Sequence, residues 1–302
     1  MDQAQTKPNR NMKRRDFIQT AALAAVGTMG LSSWSPGARY KVGIQLYTLR
    51  DVIFKDTDGT LKQLADLGYQ ELEAFGYNNG MLFGKKAKEF GDYVKSLGMN
   101  LSSGHYALGK SEKTKANKGT MLNEWERAVT DAKDAGQEFM VLAYLQDDER
   151  KTIDDYKWVC EKLNRAGEVC NKNGIRMQYH NHAFEFDKID NQIPFDLMLK
   201  ELDPKLVGME MDLYWATFAN VNPVDYFNKY PGRFEQWHLK DMDKTERKKN
   251  ADLGNGSIDF KQLLTYAKQA GLKHAYVEHD SYPSSSWESV KADIGYAKKL
   301  LE

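Results

Sequence analysis

The sequence predicts an α/β protein, a single closed (β/α)8 barrel that spans residues 40–302. Short apolar runs alternate with longer amphipathic runs, glycine marks the ends of several amphipathic runs, and nothing suggests a second domain. Such alternation predicts parallel strands covered by helices, and the span is close to the roughly 250 residues of one barrel. An open doubly wound sheet is the alternative. No G-x-G-x-x-G motif or P-loop follows any strand, which disfavours a nucleotide cofactor.

Glycine-terminated helices set the positions of five strands. The helix ends are Leu67-Gly68, Leu97-Gly98, Ala135-Gly136, Asn173-Gly174 and Ala270-Gly271. Glycine just after the last helical turn is a common stop signal, and a candidate strand follows each of these pairs at once. With three further apolar runs, the eight predicted strands are Val42–Tyr47, Gln70–Ala74, Met99–Gly104, Glu138–Ala143, Ile175–Asn181, Leu206–Met211, Phe234–Leu239 and Leu272–Glu278.

The helices between these strands are amphipathic. The segment that begins at Thr152 has the pattern of a capping box with Asp155, and apolar residues then recur at helical spacing. Cys160 and Cys170 fall in this helix, about 15 Å apart at the rise of an α-helix. Because a disulfide needs Cα atoms within about 7 Å, we expect both thiols to be unpaired.

Residues 1–39 differ in composition from the rest. Arg14-Arg15 precede Asp16-Phe17-Ile18, and a short apolar stretch follows. This pattern resembles a twin-arginine export signal, so we expect an exported, periplasmic protein. The apolar stretch is too short to span a membrane, so no stable membrane anchor is expected. A disordered N-terminus with a chance arginine pair is the alternative.

The overall charge disfavours one class of partner. Lysine plus arginine equals aspartate plus glutamate at 43 each. A protein whose main partner is a phosphate backbone usually has a basic excess or stripe. We therefore expect no nucleic-acid partner, whereas a homo-oligomer remains open.

Polar residues are concentrated where the predicted strands end. In a β/α barrel the C-terminal strand ends meet at one face, where active sites lie. Five of the six histidines occupy such ends. Imidazole combined with carboxylate is typical of Mn²⁺, Zn²⁺, Fe²⁺ or Co²⁺ sites, whereas Ca²⁺ prefers oxygen alone. A hydrogen-bonded polar rim is the alternative to one divalent metal. The polar residues include Glu73, His105, His180, His182, Glu185, Glu210, Asp212, His238, Lys240, Asp241, Glu278 and His279.

Several motifs carry a family resemblance. They are Val42–Arg50, Gly104-His105, Tyr179–Phe186, Trp237–Asp241 and Val277–His279. In this order they resemble the xylose-isomerase-like sugar isomerase/epimerase superfamily of TIM barrels, which also includes apurinic endonucleases. The resemblance implies one divalent metal, held by residues on strands five to eight. The matching positions in this sequence are His180, Asp212, His238 and Glu278.

The fifth strand departs from the family pattern. The family usually has a Glu-Asn-His motif there, and this chain has His180-Asn181-His182. In the epimerases that glutamate is also one of two acid/base carboxylates. Relatives with histidine-rich fifth strands include dehydratases or lyases that act on keto-sugars.

The resemblance implies a metal-dependent isomerase or epimerase that acts on a sugar or keto-sugar through an enediolate. Glu278 is the first candidate base, and a second acid/base is expected among His105, His182 and Glu185. Lys240 is expected to hold an oxyanion or a hydroxyl. Glu73 and Trp215 are expected to contact substrate, although a supporting role for Glu73 and core packing for Trp215 are the alternatives. A keto-sugar lyase and a sugar-binding barrel without turnover are the competing functions, and an unphosphorylated sugar is favoured.

Overall fold

A computed structural model describes residue 1 and residues 40–301. The predicted export signal lies outside these residues, so it stays a prediction. Within the described range, no helix is both long and apolar enough to cross a membrane. The barrel begins beside its own C-terminus, because the amide of Tyr40 donates a hydrogen bond to the carbonyl oxygen of Leu301.

Eight parallel strands form a closed barrel, which confirms the predicted fold class. Each strand pairs with its sequence neighbours, and β1 closes the ring by pairing with both β2 and β8. At the closure, Val42 is opposite Ala275 and Ile44 is opposite Val277. The strands are β1 Val42–Gln45, β2 Glu71–Ala74, β3 Asn100–Tyr106, β4 Phe139–Leu142, β5 Arg176–His180, β6 Val207–Asp212, β7 Gln236–Leu239 and β8 His274–Val277.

Helices surround the barrel, and local signals fix several of their ends. The Asp56 side chain accepts a hydrogen bond from the amide of Gly59 at the start of α1, and Gly68 ends α1 in the left-handed conformation at φ 95°. The predicted capping box of Thr152 and Asp155 begins α4. The helices are α1 Thr57–Leu67, α2 Ala87–Ser96, α3 Trp125–Asp134, α4 Ile153–Lys172, α5 Pro194–Glu201, α6 Leu213–Phe218, α7 Pro223–Lys229, α8 Phe260–Leu264, α9 Ala267–Ala270 and α10 Ser286–Leu301.

Two strands end two residues away from their predicted ends. The first strand stops at Gln45, because the side chain of Gln45 accepts the amide hydrogen of Tyr47 and starts a 3-10 turn. The third strand continues to Tyr106, because His105 and Tyr106 still pair with β4. His105 is therefore part of a strand rather than of the loop that follows it.

The remaining elements are short. Two hairpins, 81–86 and 241–251, lie in the loops after β2 and β7. The segments after β6 and after β7 each contain two helices, where one was expected. Cys160 and Cys170 are buried and free, as predicted.

Alternation along the strands separates the apolar layer from the polar interior. Trp237 of β7 points outward and stacks on Phe227 of α7, with ring centres 4.9 Å apart. Its neighbours on the strand point inward, and on β6 Glu210 and Asp212 likewise share one face because side chains alternate with a period of two. Polar side chains therefore accumulate inside the barrel towards its C-terminal end.

Candidate active site

A cavity of about 470 Å³ opens at the C-terminal end of the barrel. Seven of the eight strands or their following loops contribute to it. Its lining residues are Tyr47, Phe75, Gly76, Tyr77, His105, Tyr106, Ala107, Asn117, Gly119, Thr120, Ala143, Tyr144, Gln146, His180, His182, Lys240, Glu278 and Asp280. This is the face at which β/α barrels place their chemistry.

Four residues from adjacent strands converge at the floor of this cavity. One ligand atom from each of His180, Asp212, His238 and Glu278 lies within 4.8 Å of the others. His238 Nδ1 is 2.9 Å from Glu278 Oε2, and His180 Nε2 is 3.4 Å from Asp212 Oδ2. All four side chains are buried. The structure therefore brings together the four residues that the sequence singled out as metal ligands.

The tautomer of His180 follows from its other contact. Its Nδ1 atom lies 3.0 Å from the carbonyl oxygen of Ala143, and a carbonyl oxygen can only accept. Nδ1 therefore carries a proton, and Nε2 is the ring nitrogen that can bind a metal. This buried Nε2 has no hydrogen-bond partner among the described residues. Two imidazoles and two carboxylates with such an open nitrogen fit a Zn²⁺, Mn²⁺, Fe²⁺ or Co²⁺ ion.

Glu73 contacts His238 on the side of the ring that faces away from the cavity. His238 Nε2 is 2.8 Å from Glu73 Oε1, which also accepts a hydrogen bond from the Gln45 side chain. The other Glu73 oxygen accepts a hydrogen bond from Ser103. Glu73 is fully buried and does not line the cavity. The described contacts of Glu73 are therefore with other barrel residues, and its role towards substrate stays a prediction.

Lys240 lies above the four converging residues. Its Nζ atom is 3.0 Å from Asp212 Oδ2, 2.6 Å from Glu278 Oε2 and 2.8 Å from Asp280 Oδ2. Burial would lower the pKa of Lys240, but these three carboxylates hold it well above its ordinary value. Lys240 is therefore a cation and a hydrogen-bond donor in the cavity, and not a base.

His105 forms a pair of contacts that the sequence did not indicate. Its Nε2 atom is 2.9 Å from Glu210 Oε2 and 3.0 Å from Glu73 Oε1. Burial opposes the charged form, but Glu73 and Glu210 raise the pKa of His105 to about 9. Glu210 had no predicted role. Glu210 is two residues before Asp212 on the same strand, and this spacing could have predicted that its side chain points into the barrel.

His182 is the other histidine on the cavity wall. Its ring stacks on Phe184, and Tyr144 and Trp215 lie within 5.5 Å. Burial, with His180 and Lys240 nearby, holds the pKa of His182 well below its ordinary value, so the ring is neutral. Its Nδ1 atom has no partner in the described chain. Trp215 supports this wall and does not itself line the cavity.

Two other candidates face away from the cavity. Glu185 accepts hydrogen bonds from the Tyr179 hydroxyl at 2.6 Å and from the amide of His182 at 2.8 Å. Its carboxylate therefore braces the loop after β5 rather than reaching the cavity, which differs from its expected place as an acid/base. His279 points outward, with Nε2 2.6 Å from Asp293 of α10, as the alternation with Glu278 had indicated.

Arg50, for which no role was predicted, connects the loops after β1 and β8. Its guanidinium donates hydrogen bonds to the carbonyl oxygens of Tyr47, His279 and Asp280 and to the Tyr282 hydroxyl. Tyr47 and Asp280 both line the cavity. The arginine therefore fixes one side of the cavity mouth.

The closed barrel and the imidazole–carboxylate cluster at its C-terminal face define a (β/α)8 protein with a candidate metal centre. The chain belongs to the xylose isomerase-like TIM barrel family, whose sequence profile matches residues 61–300. This confirms the resemblance that the motifs indicated.

Similar proteins include both lyases and isomerases. An inosose dehydratase of Geobacillus kaustophilus is 24% identical over 200 residues, which cover 61% of this chain and 62% of that protein. The chain thus aligns with less than two thirds of this relative. A sugar phosphate isomerase/epimerase structure from Parabacteroides distasonis is 30% identical, with a TM-score of 0.74, and the match covers 89% of this chain and 97% of the other.

A more distant structure has the same fold. The IolI protein, whose structure contains a zinc atom, is 12% identical, with a TM-score of 0.67 and coverage of 86% of this chain and 98% of the other. The relatives thus include a sugar phosphate isomerase/epimerase and an inosose dehydratase.

Proposed function

We propose that this protein is a divalent-metal-dependent isomerase or epimerase that moves a proton next to the carbonyl group of a sugar or keto-sugar. The observation that carries this proposal is the convergence of His180, Asp212, His238 and Glu278 on one point at the cavity floor. A divalent cation bound there would act as a Lewis acid and make the C–H bond beside the carbonyl more acidic.

The residues around this point have different roles in the proposed reaction. Among the carboxylates of the ligand set, only Glu278 lines the cavity, so it is the group that takes the proton from carbon. Lys240 brings a positive charge to the same place and stabilises negative charge on a substrate oxygen. His182, whose imidazole is neutral, is the candidate for taking a proton from a substrate hydroxyl, while Glu278 returns the proton that it took to a neighbouring carbon. His105 directs its Nε2 atom to Glu73 and Glu210, so this nitrogen is not available as a base for substrate.

A keto-sugar dehydratase is the second candidate. The usual fifth-strand carboxylate is His180 here, so Glu278 is left as the one ligand carboxylate that reaches substrate. In a dehydratase one group can take the α-proton and pass it to the departing hydroxyl, which leaves as water, whereas epimerisation needs a proton donor on the opposite face. The inosose dehydratase relative supports the same alternative.

The charge of the cavity favours an unphosphorylated substrate. Lys240 is the only lysine or arginine among the lining residues, and three carboxylates already surround it. A phosphate group would therefore meet no unpaired cation there. Such a substrate agrees with the proposed export to the periplasm, where free phosphorylated sugars are scarce.

The first test is metal content. We would measure Mn, Fe, Co and Zn per chain in the wild type and in Asp212→Ala and Glu278→Ala. The proposal expects each variant to lose one ion per chain relative to the wild type. As a control, Glu71→Gln changes a buried glutamate at the opposite end of the barrel and should keep the metal. A wild type that holds no metal and takes none up overturns the enzyme assignment.

The second test distinguishes the reactions. The metal-loaded protein is incubated in D₂O with a panel of keto-sugars and keto-inositols, and the products are followed by NMR. Deuterium at the α-carbon with a new configuration indicates an epimerase, and a shifted carbonyl indicates an isomerase. Loss of water indicates the dehydratase. Metal and sugar binding without deuterium exchange would instead identify a sugar-binding barrel.

A further inference from the structure

A second set of ligand atoms lies deeper in the barrel, between β2, β3, β6 and β7. Glu73, His105, Glu210 and His238 each contribute one atom, and all four atoms lie within 4.8 Å of one another. Glu73 Oε1 is 3.0 Å from His105 Nε2 and 2.8 Å from His238 Nε2. Glu210 Oε2 is 2.9 Å from His105 Nε2. His238 contributes its Nδ1 atom to the upper set and its Nε2 atom to this one.

The spacing of these atoms suits a small cation. Histidine nitrogens and carboxylate oxygens bind zinc at about 2.0–2.2 Å. Ligand atoms at that distance from an ion are about 3 Å from their neighbours in octahedral geometry and about 3.4 Å in tetrahedral geometry. The separations between imidazole and carboxylate atoms here are 2.8–3.4 Å.

Hydrogen bonds within the described chain do not give every oxygen atom of this set a donor. Two imidazole Nε2 atoms supply at most two protons. Glu73 Oε1 already accepts a hydrogen bond from the Gln45 amide. Glu210 Oε1 is fully buried, and within the described chain it accepts no hydrogen bond. Buried carboxylate oxygens normally have a partner, and this oxygen, 3.4 Å from His238 Nε2, is available to bind a cation.

We propose that Glu73, His105, Glu210 and His238 bind a second divalent cation, with His238 as a bridging imidazolate between two metal ions. Its Nδ1 atom faces Asp212 and Glu278, and its Nε2 atom faces Glu73 and Glu210. Bridging requires that both ring nitrogens give up their protons, which leave to solvent when the ions bind. This proposal rests on the upper metal site of the proposed function, because the two sites share His238.

The second ion has a role distinct from the first. Glu73, Glu210 and His238 are fully buried, and only the edge of His105 reaches the cavity. The deep ion therefore does not meet substrate. It neutralises the two buried glutamates and fixes His238, which in turn positions the upper ion. The mixed nitrogen and oxygen ligands suit Zn²⁺, Mn²⁺, Fe²⁺ or Co²⁺.

The test counts ions in the full-length protein. We would remove metal with a chelator, titrate with Zn²⁺ or Mn²⁺ alone, and measure bound metal after desalting. The expected result is two ions per chain for the wild type and one for Glu210→Gln. The matched control is Glu71→Gln, which changes a buried glutamate at the opposite end of β2 and should keep two.

Further outcomes separate the two proposals. Asp212→Asn should lose the upper ion, and His238→Ala should lose both. One ion in the wild type, unchanged in Glu210→Gln, overturns the deep site and leaves the proposed function standing. No ion in the wild type overturns both. Circular dichroism checks that each variant folds. If Glu210→Gln does not fold, Glu73→Gln replaces it, with the same expected loss of one ion.

Discussion

The Nδ1 atom of His180 lies 3.0 Å from the carbonyl oxygen of Ala143, which follows the neighbouring strand β4. This contact fixes both the tautomer and the direction of the ring, so that Nε2 faces the cluster formed with Asp212, His238 and Glu278. The histidine that replaces the family's usual fifth-strand glutamate is thus held in the orientation of a ligand.

His180→Ala should weaken metal binding strongly. Loss of a residue that merely orients a ligand costs about 10–100-fold in affinity, and His180 supplies the ligand atom itself, so we expect a larger loss. His274→Ala is the matched control, because His274 is a buried histidine at the opposite end of the barrel, where it contacts Glu71. Metal affinity is measured by competition with a chelating dye. Equal affinities in the two variants would contradict the assignment of His180.

Lys240→Met should separate binding from turnover. The variant removes a cation that contacts the same Asp212 and Glu278 oxygens that face the metal site, so metal should still bind. Without its charge on the substrate oxygen, kcat should fall by about 10²–10³. Metal content and single-turnover rates are measured on the same sample. A variant that turns over at the wild-type rate would exclude a catalytic role for Lys240.

Much of this site could be predicted from the sequence, because a closed parallel barrel collects all its C-terminal strand ends at one face. Once eight strands were recognised, His180, Asp212, His238 and Glu278 had to lie near each other, whatever the details of the loops. The strand bounds needed only small changes, such as the early end of β1 at Gln45.

The roles of the carboxylates could not be predicted in the same way. Glu185 lies three residues from His182, but a 3-10 turn directs its carboxylate back to Tyr179. The function of Glu73 depends on its contacts with residues of β1, β3 and β7. The contact between Glu210 and His105 joins residues 105 positions apart in the chain. Such pairings are set by the register and diameter of the barrel, which a local pattern does not contain.

The seam between β1 and β8 has no room for a side chain at position 43. A Cβ atom on Gly43 would lie 2.4 Å from the Tyr276 ring and 2.7 Å from the carbonyl oxygen of Ala275. Gly43→Ala should therefore lower the free energy of unfolding by about 1–3 kcal/mol. Gly295→Ala is the control, because that exposed position in α10 is open and alanine favours a helix by about 0.5–1 kcal/mol. Urea denaturation measures both. Equal effects would contradict a tight seam.

Arg50→Lys should act on substrate binding. A lysine keeps the charge but cannot make the fan of hydrogen bonds that Arg50 donates to both loops. Because Tyr47 and Asp280 would lose their fixed positions at the cavity mouth, we expect KM to rise several-fold with a smaller change in kcat. Steady-state kinetics with the substrate found in the D₂O screen measure this. The control is Arg127→Lys, which changes an exposed arginine on α3; a similar rise in KM there would remove the argument for Arg50.

The buried Glu185 should make stability depend on pH. Burial raises the pKa of Glu185 from about 4.5 to about 7, although hydrogen bonds from Tyr179 and the His182 amide oppose the change. Between these values the folded protein holds a proton that the unfolded chain has released, so stability falls as pH rises from about 4.5 to 7. At 1.36 kcal/mol per pKa unit the loss is about 3 kcal/mol.

Glu185→Gln removes this titration, so its free energy of unfolding relative to the wild type should increase as pH rises through that window. The measurement is urea denaturation of metal-free protein at several pH values. Tyr179→Phe provides an independent check, because loss of its hydroxyl removes a donor that stabilises the ionised carboxylate. When Glu185 is present, Tyr179→Phe should therefore extend the loss of stability to a higher pH. In the Glu185→Gln background, Tyr179→Phe should not change the pH dependence. Parallel stability curves for wild type and Glu185→Gln would show that the pKa of Glu185 is the same in the folded and the unfolded protein.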